Sequence, residues 1–120
     1  PVQAPDEILE TPRRYLHQSV AVEGEIARVL SDRVITLRSR SVRKGLLVVL
    51  SDEACDPGLR LTEGQPVRVE GIVRTLHRPE VSALEERYGL GVSKQSLLAS
   101  FGSHPYVLAY EVRPGTSAVR

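Results

Sequence analysis

Ser19-Val-Ala-Val-Glu-Gly-Glu-Ile26 is the stretch on which the fold turns. Val20, Val22, Gly24 and Ile26 alternate with polar residues, the period-two signature of a strand with one buried face. After Ser31-Asp-Arg33, a turn by its residue types, Val34-Ile-Thr-Leu37 reads as a second strand. Ser39 to Lys44 is a basic loop, and Leu46 to Leu50, apolar throughout, is a third and largely buried strand. Ser51 to Thr62 carries Asp, Pro and Gly and reads as a loop. The alternation then returns from Pro66 to Leu76 with Val67, Val69, Gly71 and Val73, and Tyr106 to Val112 supplies a fifth strand.

Val20-Ala-Val-Glu-Gly24 and Val67-Arg-Val-Glu-Gly71 are the same apolar-polar-apolar-acidic series ending in glycine. A glycine weakens a strand unless the backbone must bulge or bend, as long strands of small barrels do when they serve two sheets. Between strands four and five, Pro79 suits the first turn of a helix on which Val81, Leu84 and Tyr88 share a face, and Gly89 is placed to end it. Ser93 is a cap for a second short helix that buries Leu97, Leu98 and Phe101 and stops at Gly102. Before the first strand, Thr11-Pro12 reads as a cap and first-turn proline, with Tyr15 and Leu16 available to cover a barrel end. The expected fold is mainly β, a five-stranded OB-type barrel with a helical insert between strands four and five. Its organisation is an N-terminal segment with a short helical turn (1–18), the barrel (19–113) and a flexible C-terminal tail (114–120).

A chain of 120 residues, 41 % hydrophobic, can fill one core without disulfides. The formal charge of +1, from 16 basic and 15 acidic residues, gives no global field toward nucleic acid or anionic lipid, so any such binding needs a local patch. Cys55 stands alone, so no internal disulfide forms. No run approaches the roughly 20 apolar residues of a membrane-spanning helix. The start at Pro1 rather than methionine implies an upstream segment, such as a signal peptide, a lipoprotein anchor or another domain.

The strand order, the glycines and the segment from Thr11 to Ile26 together resemble the small OB-fold domains of exported bacterial proteins, many of them uncharacterised. In these a proline, a tyrosine and a V-x-V-x-G-x-V strand follow one another. The similarity continues through Leu47-Val-Val49, the Leu61-Thr-Glu-Gly64 turn and Val67 to Gly71, then through the insert to the last strand. Two departures stand out. That group commonly has glycine at the position of His17, and a standard OB barrel carries a helix between strands three and four, where this chain has the Ser51 to Thr62 loop. The resemblance implies an exported or envelope-associated, noncatalytic module.

OB barrels hold oligonucleotides or sugars on strands two and three and their flanking loops. Arg38, Arg40, Arg43 and Lys44 cluster in the loop joining those strands, which makes them the candidate ligand-binding residues. Yet Val34 to Leu37 and Leu46 to Leu50 contain no aromatic residue, and each stacked base contributes roughly 1–3 kcal/mol to single-strand binding. Ser51-Asp-Glu-Ala-Cys-Asp56 lacks the spacing of a calcium loop, and His17, His77 and His104 lack metal-site spacing, so no metal or cofactor is expected. No nucleophile elbow or phosphate-cradling glycine loop is present, and no catalytic residue is assigned. The leading expectation is a noncatalytic envelope module whose ligand is a protein or envelope component. The alternatives are a single-strand nucleic-acid binder using the same basic loop, and a structural domain of a longer chain. An exposed last strand would offer an edge for pairing.

Overall fold

The computed structural model describes residues 2–56, 58 and 60–115. In chain order the elements are β1 (Val2–Gln3), α1 (Pro5–Glu10), α2 (Pro12–Tyr15), β2 (Ser19–Val29), β3 (Val34–Leu37), β4 (Leu46–Leu50), β5 (Pro66–Thr75), α3 (Arg78–Tyr88), α4 (Lys94–Phe101) and β6 (Pro105–Pro114). The alternating stretch becomes the long strand β2, and its length lets it serve two neighbours. Ser19 to Glu25 pair antiparallel with β5, whereas Ile26 to Val29 pair antiparallel with β3. The change of partner coincides with an irregularity between Ile26 and Arg28 that leaves Ala27 over and bends the strand.

β3 continues to β4, β4 runs parallel to β6, and β6 runs antiparallel to β5, so the ring closes where β5 meets β2. This five-stranded closed ring is an OB-type barrel, with the expected helical pair between its fourth and fifth strands. β6 is therefore not an edge, because it has a partner on each side. β1 is the added strand, parallel to β2.

The two look-alike glycines answer to different neighbours. A Cβ on Gly71 would stand 2.4 Å from the Leu108 carbonyl oxygen, where β6 bulges opposite β5 and leaves Tyr110 unpaired. That glycine marks a bend, as expected. A Cβ on Gly24 would instead stand 2.9 Å from Cγ of Pro5, so its role is to let α1 lie against β2.

Two apolar clusters hold the molecule. Inside the barrel, Val22, Ile26, Ile35, Leu37, Val48 and Val69 meet, and Ile8 of α1, fully buried, plugs one end. Burying such a side chain stabilises by about 1.5–3 kcal/mol. Outside the barrel, Val34, Leu47, Val49 and Tyr106 pack under α3 and α4 through Val81, Leu84, Leu97 and Phe101. The wall formed by β3 and β4 is thus covered on both faces, which is why Leu46 to Leu50 is apolar at every position.

The insert forms as its sequence requires. Pro79 lies in the first turn of α3, Gly89 ends it at a φ of +68°, and the Ser93 hydroxyl accepts a hydrogen bond from the Ser96 amide at 3.3 Å. Burial raises the Tyr106 phenol far above its ordinary range, with its hydrogen bond to the Glu80 carboxylate adding to the effect. Glu80 also pairs with Arg74 of β5 at 2.6 Å, so the first turn of α3 is bound to the barrel at two points.

The N-terminal segment carries more structure than the single helical turn expected. Pairing of β1 and the docking of α1 depend on tertiary partners, which leave little periodicity in so short a stretch. Thr11 stands at the N-cap of α2 with Pro12 in the first turn, as expected, but its hydroxyl makes no capping bond there and donates to the Glu7 carbonyl at the end of α1, at 2.9 Å. Of the tail expected over 114–120, Pro114 pairs with Val67 in the sheet, and residues 116–120 lie outside the described residues.

Candidate functional site

The basic loop is held at its base by the N-terminal helix. Asp6 accepts hydrogen bonds from the Ser39 hydroxyl, from the Arg40 amide at 3.1 Å and from the Ser41 hydroxyl at 3.3 Å. The Ser39 hydroxyl is the largest of the effects that hold the Asp6 carboxyl below the usual carboxylate range. Within the loop, Ser39 Oγ also accepts from the amides of Ser41 and Val42 at 3.1 and 2.9 Å. The loop therefore has a defined shape, which a mouth loop with no anchor would lack.

The four expected binding residues do not all line one groove. Arg38 is exposed and pairs with Glu25 at 3.4 Å, a surface contact worth little. Arg40 is exposed, with its backbone rather than its guanidinium engaged by Asp6. Arg43 and Lys44, by contrast, stand together at the mouth of a groove of about 420 Å³ between α4 and the β2–β3 hairpin.

Two contacts fix the direction of this groove. At one end Lys44 Nζ donates to the carbonyl of Ser100 at 3.2 Å, near the end of α4. At the other, the Ser31 hydroxyl donates to the Leu90 carbonyl at 2.5 Å, joining the β2–β3 turn to the segment before α4. The first end carries Arg43, Lys44 and Ser100; the second is walled by Leu30 and Val92, with Leu97 between. Arg28 and Thr36, cross-strand partners, line the side. None of the lining residues is acidic, and among the described residues Arg28, Arg43 and Lys44 have no carboxylate within 4.0 Å.

Thr36 is 1 % exposed, and its hydroxyl has no hydrogen-bond partner among the described residues. An unpaired buried hydroxyl costs about 1–3 kcal/mol. Sequence reading did not single out Arg28, Thr36, Ser96 or Ser100. A signal for Thr36 was present, since it is the one polar residue in Val34-Ile-Thr-Leu37. The others depend on where the insert lands.

Of the platform expected on strands two and three, only Thr36 among the described residues reaches the groove. The platform's inner face fills the barrel and its outer face lies under α3 and α4. The acidic loop engages its own neighbours: Asp52 pairs with Arg33 at 2.6 Å, and Asp56 accepts from the Gly58 amide at 2.8 Å. Cys55 is half-buried against the inner core.

No family model matches this sequence, and no curated protein does. Among solved structures, the hypothetical protein ygiW from E. coli is similar over 95 % of this chain and 89 % of its own, with a TM-score of 0.57 at 12 % identity. A putative aspartyl-tRNA synthetase from Leishmania major Friedlin is similar over 100 % of this chain, which spans 21 % of that protein, with a TM-score of 0.62 at 12 % identity. At such identities the shared feature is the fold, a closed barrel of five strands.

Proposed function

We propose that this chain is a noncatalytic binding module of the bacterial cell envelope, and that its ligand is a protein or an envelope component. The observation that carries the reading is the convergence of Arg28, Arg43 and Lys44, none paired with a carboxylate among the described residues, on a groove of ligand size. The resemblance to small exported OB domains supports the envelope setting. Among the described residues, no helix is long and apolar enough to cross a membrane.

The second reading is single-strand nucleic-acid binding, favoured by the barrel's likeness to part of a putative aspartyl-tRNA synthetase. The covered wall of β3 and β4 counts against it, because bases would find no aromatic platform there.

Sedimentation with purified peptidoglycan sacculi and with phosphatidylglycerol vesicles tests the first reading, alongside a variant carrying alanine at Arg38, Arg40, Arg43 and Lys44. Binding to either, lost in the variant, is expected. A labelled single-stranded oligonucleotide tests the second: about four phosphate contacts predict affinity falling roughly 50-fold between 50 and 200 mM salt. Oligonucleotide binding with that slope, without envelope binding, overturns the first reading.

A further inference from the structure

We propose that the groove between α4 and the β2–β3 hairpin binds a single-chain amphiphile with a carboxylate head, the chemistry of a medium-chain fatty acid. The proposal rests on the binding-module reading and adds to it the class of ligand.

The polarity of the groove sets that class. Its basic end, marked by the Lys44 to Ser100 hydrogen bond, presents a guanidinium and an ammonium. Its far end, where Ser31 meets Leu90, presents Leu30 and Val92. A molecule charged throughout would leave the apolar end unused, and a wholly apolar one would desolvate the cations without compensation. An amphiphile with a negative head satisfies both ends at once.

Thr36 sharpens the choice. Thr36 is one of the residues lining the groove, and its hydroxyl, buried just beneath that surface, has no partner among the described residues. A carboxylate oxygen would accept from it while the other oxygen meets the guanidinium of Arg28 or Arg43, and such charge-assisted bonds are about twice as strong as neutral ones. A cationic head would meet only repulsion at this end. The groove's volume of about 420 Å³ falls within the usual range for small-molecule sites.

The test is a titration of the ¹⁵N-labelled chain with sodium decanoate, 1-decanol and decyltrimethylammonium, each below its micelle threshold and followed by amide chemical shifts. Decanoate is expected to shift the amides of Thr36, Ser96 and Ser100, with the neutral and cationic analogues at least about tenfold weaker. The R28A/R43A double variant should lose about tenfold or more in decanoate affinity. Thr36→Val keeps the shape of the side chain, and should weaken decanoate several-fold while raising the melting temperature of the free chain. Decanol binding as well as decanoate, shifts confined to another surface, or an unchanged affinity in Thr36→Val would each overturn the proposal. If decanoate fails to bind but the chain still sediments with sacculi or vesicles through its basic loop, the amphiphile is wrong and the binding module stands. If both fail, the amphiphile is wrong and so is an envelope component as the module's ligand.

Discussion

Asp6, in the first turn of α1, accepts a hydrogen bond at 3.1 Å from the backbone amide of Arg40, 34 residues further along the chain. One carboxylate thus joins the N-terminal helix to the loop that carries two of the groove's cations, Arg43 and Lys44. Its folded-state pKa is depressed, chiefly by the Ser39 hydroxyl, so its contribution is fully present above the ordinary carboxylate pKa of about 4 and is lost as pH falls through the lower folded value. Protection of the Arg40 amide, measured against its intrinsic exchange rate at each pH, should hold from neutral pH to about 4 and fall below it. In Asp6→Ala that protection should be low throughout, and an undiminished protection in that variant would show that the anchor lies elsewhere.

The Tyr106 phenol should resist ionisation. Of the four tyrosines, it alone is fully buried and donates to a carboxylate. Ultraviolet titration of the folded chain should leave one tyrosine protonated well above pH 10, until unfolding releases it. Because its folded pKa is raised, the linked stability is complete below about pH 10 and falls as pH rises further. Tyr106→Phe should cost about 1.5–3 kcal/mol, the range for a hydrogen bond to a charged group.

His17 is exposed and holds a φ of +64°, in the left-handed region. Its amide donates to the Val73 carbonyl at 2.7 Å, which locks the backbone there. Glycine would suit this position, since an L-residue in this region costs roughly 1–2 kcal/mol. After the extra backbone freedom that glycine gives the unfolded chain, His17→Gly should stabilise by about 0.5–1 kcal/mol in a urea melt. His17→Ala should bring no gain.

Gly24 and Gly71 end identical-looking motifs but should respond differently to alanine. At Gly71 the new methyl meets backbone, at 2.4 Å from Leu108 O and 2.8 Å from Ala109 Cα, so the barrel itself must deform and the cost should reach about 2–3 kcal/mol. At Gly24 it meets the Pro5 ring of a separate helix, which can shift. There the loss should be about 1 kcal/mol, with faster exchange over α1 and an intact barrel.

The strands were legible because period-two alternation survives without knowledge of partners: Ser19, Val34, Leu46 and Pro66 are read from sequence and observed as strand starts. The caps were legible for the same local reason, as Gly89 and Ser93 show. What could not be read was which layer meets which. Leu46 to Leu50 announces burial on both faces, but nothing in that run says that α3 and α4 provide the cover. The candidate site suffered accordingly: Arg43 and Lys44 were read from their position in the loop, whereas Arg28 and Thr36 join them only once α4 has been laid across the hairpin.

The place of β6 bears on how the chain acquires its shape. Parallel to β4 on one side and antiparallel to β5 on the other, it is the strand that finishes the ring. A chain stopped before Pro105 could still join β2 to β3, β3 to β4 and β2 to β5, but it would present two raw strand borders. The closing step pairs Leu47 with Tyr106, among the partners furthest apart in sequence in the sheet, and so carries a large loop-closure cost. Until that step is made, β4, the most apolar strand, is the segment most open to capture by another chain.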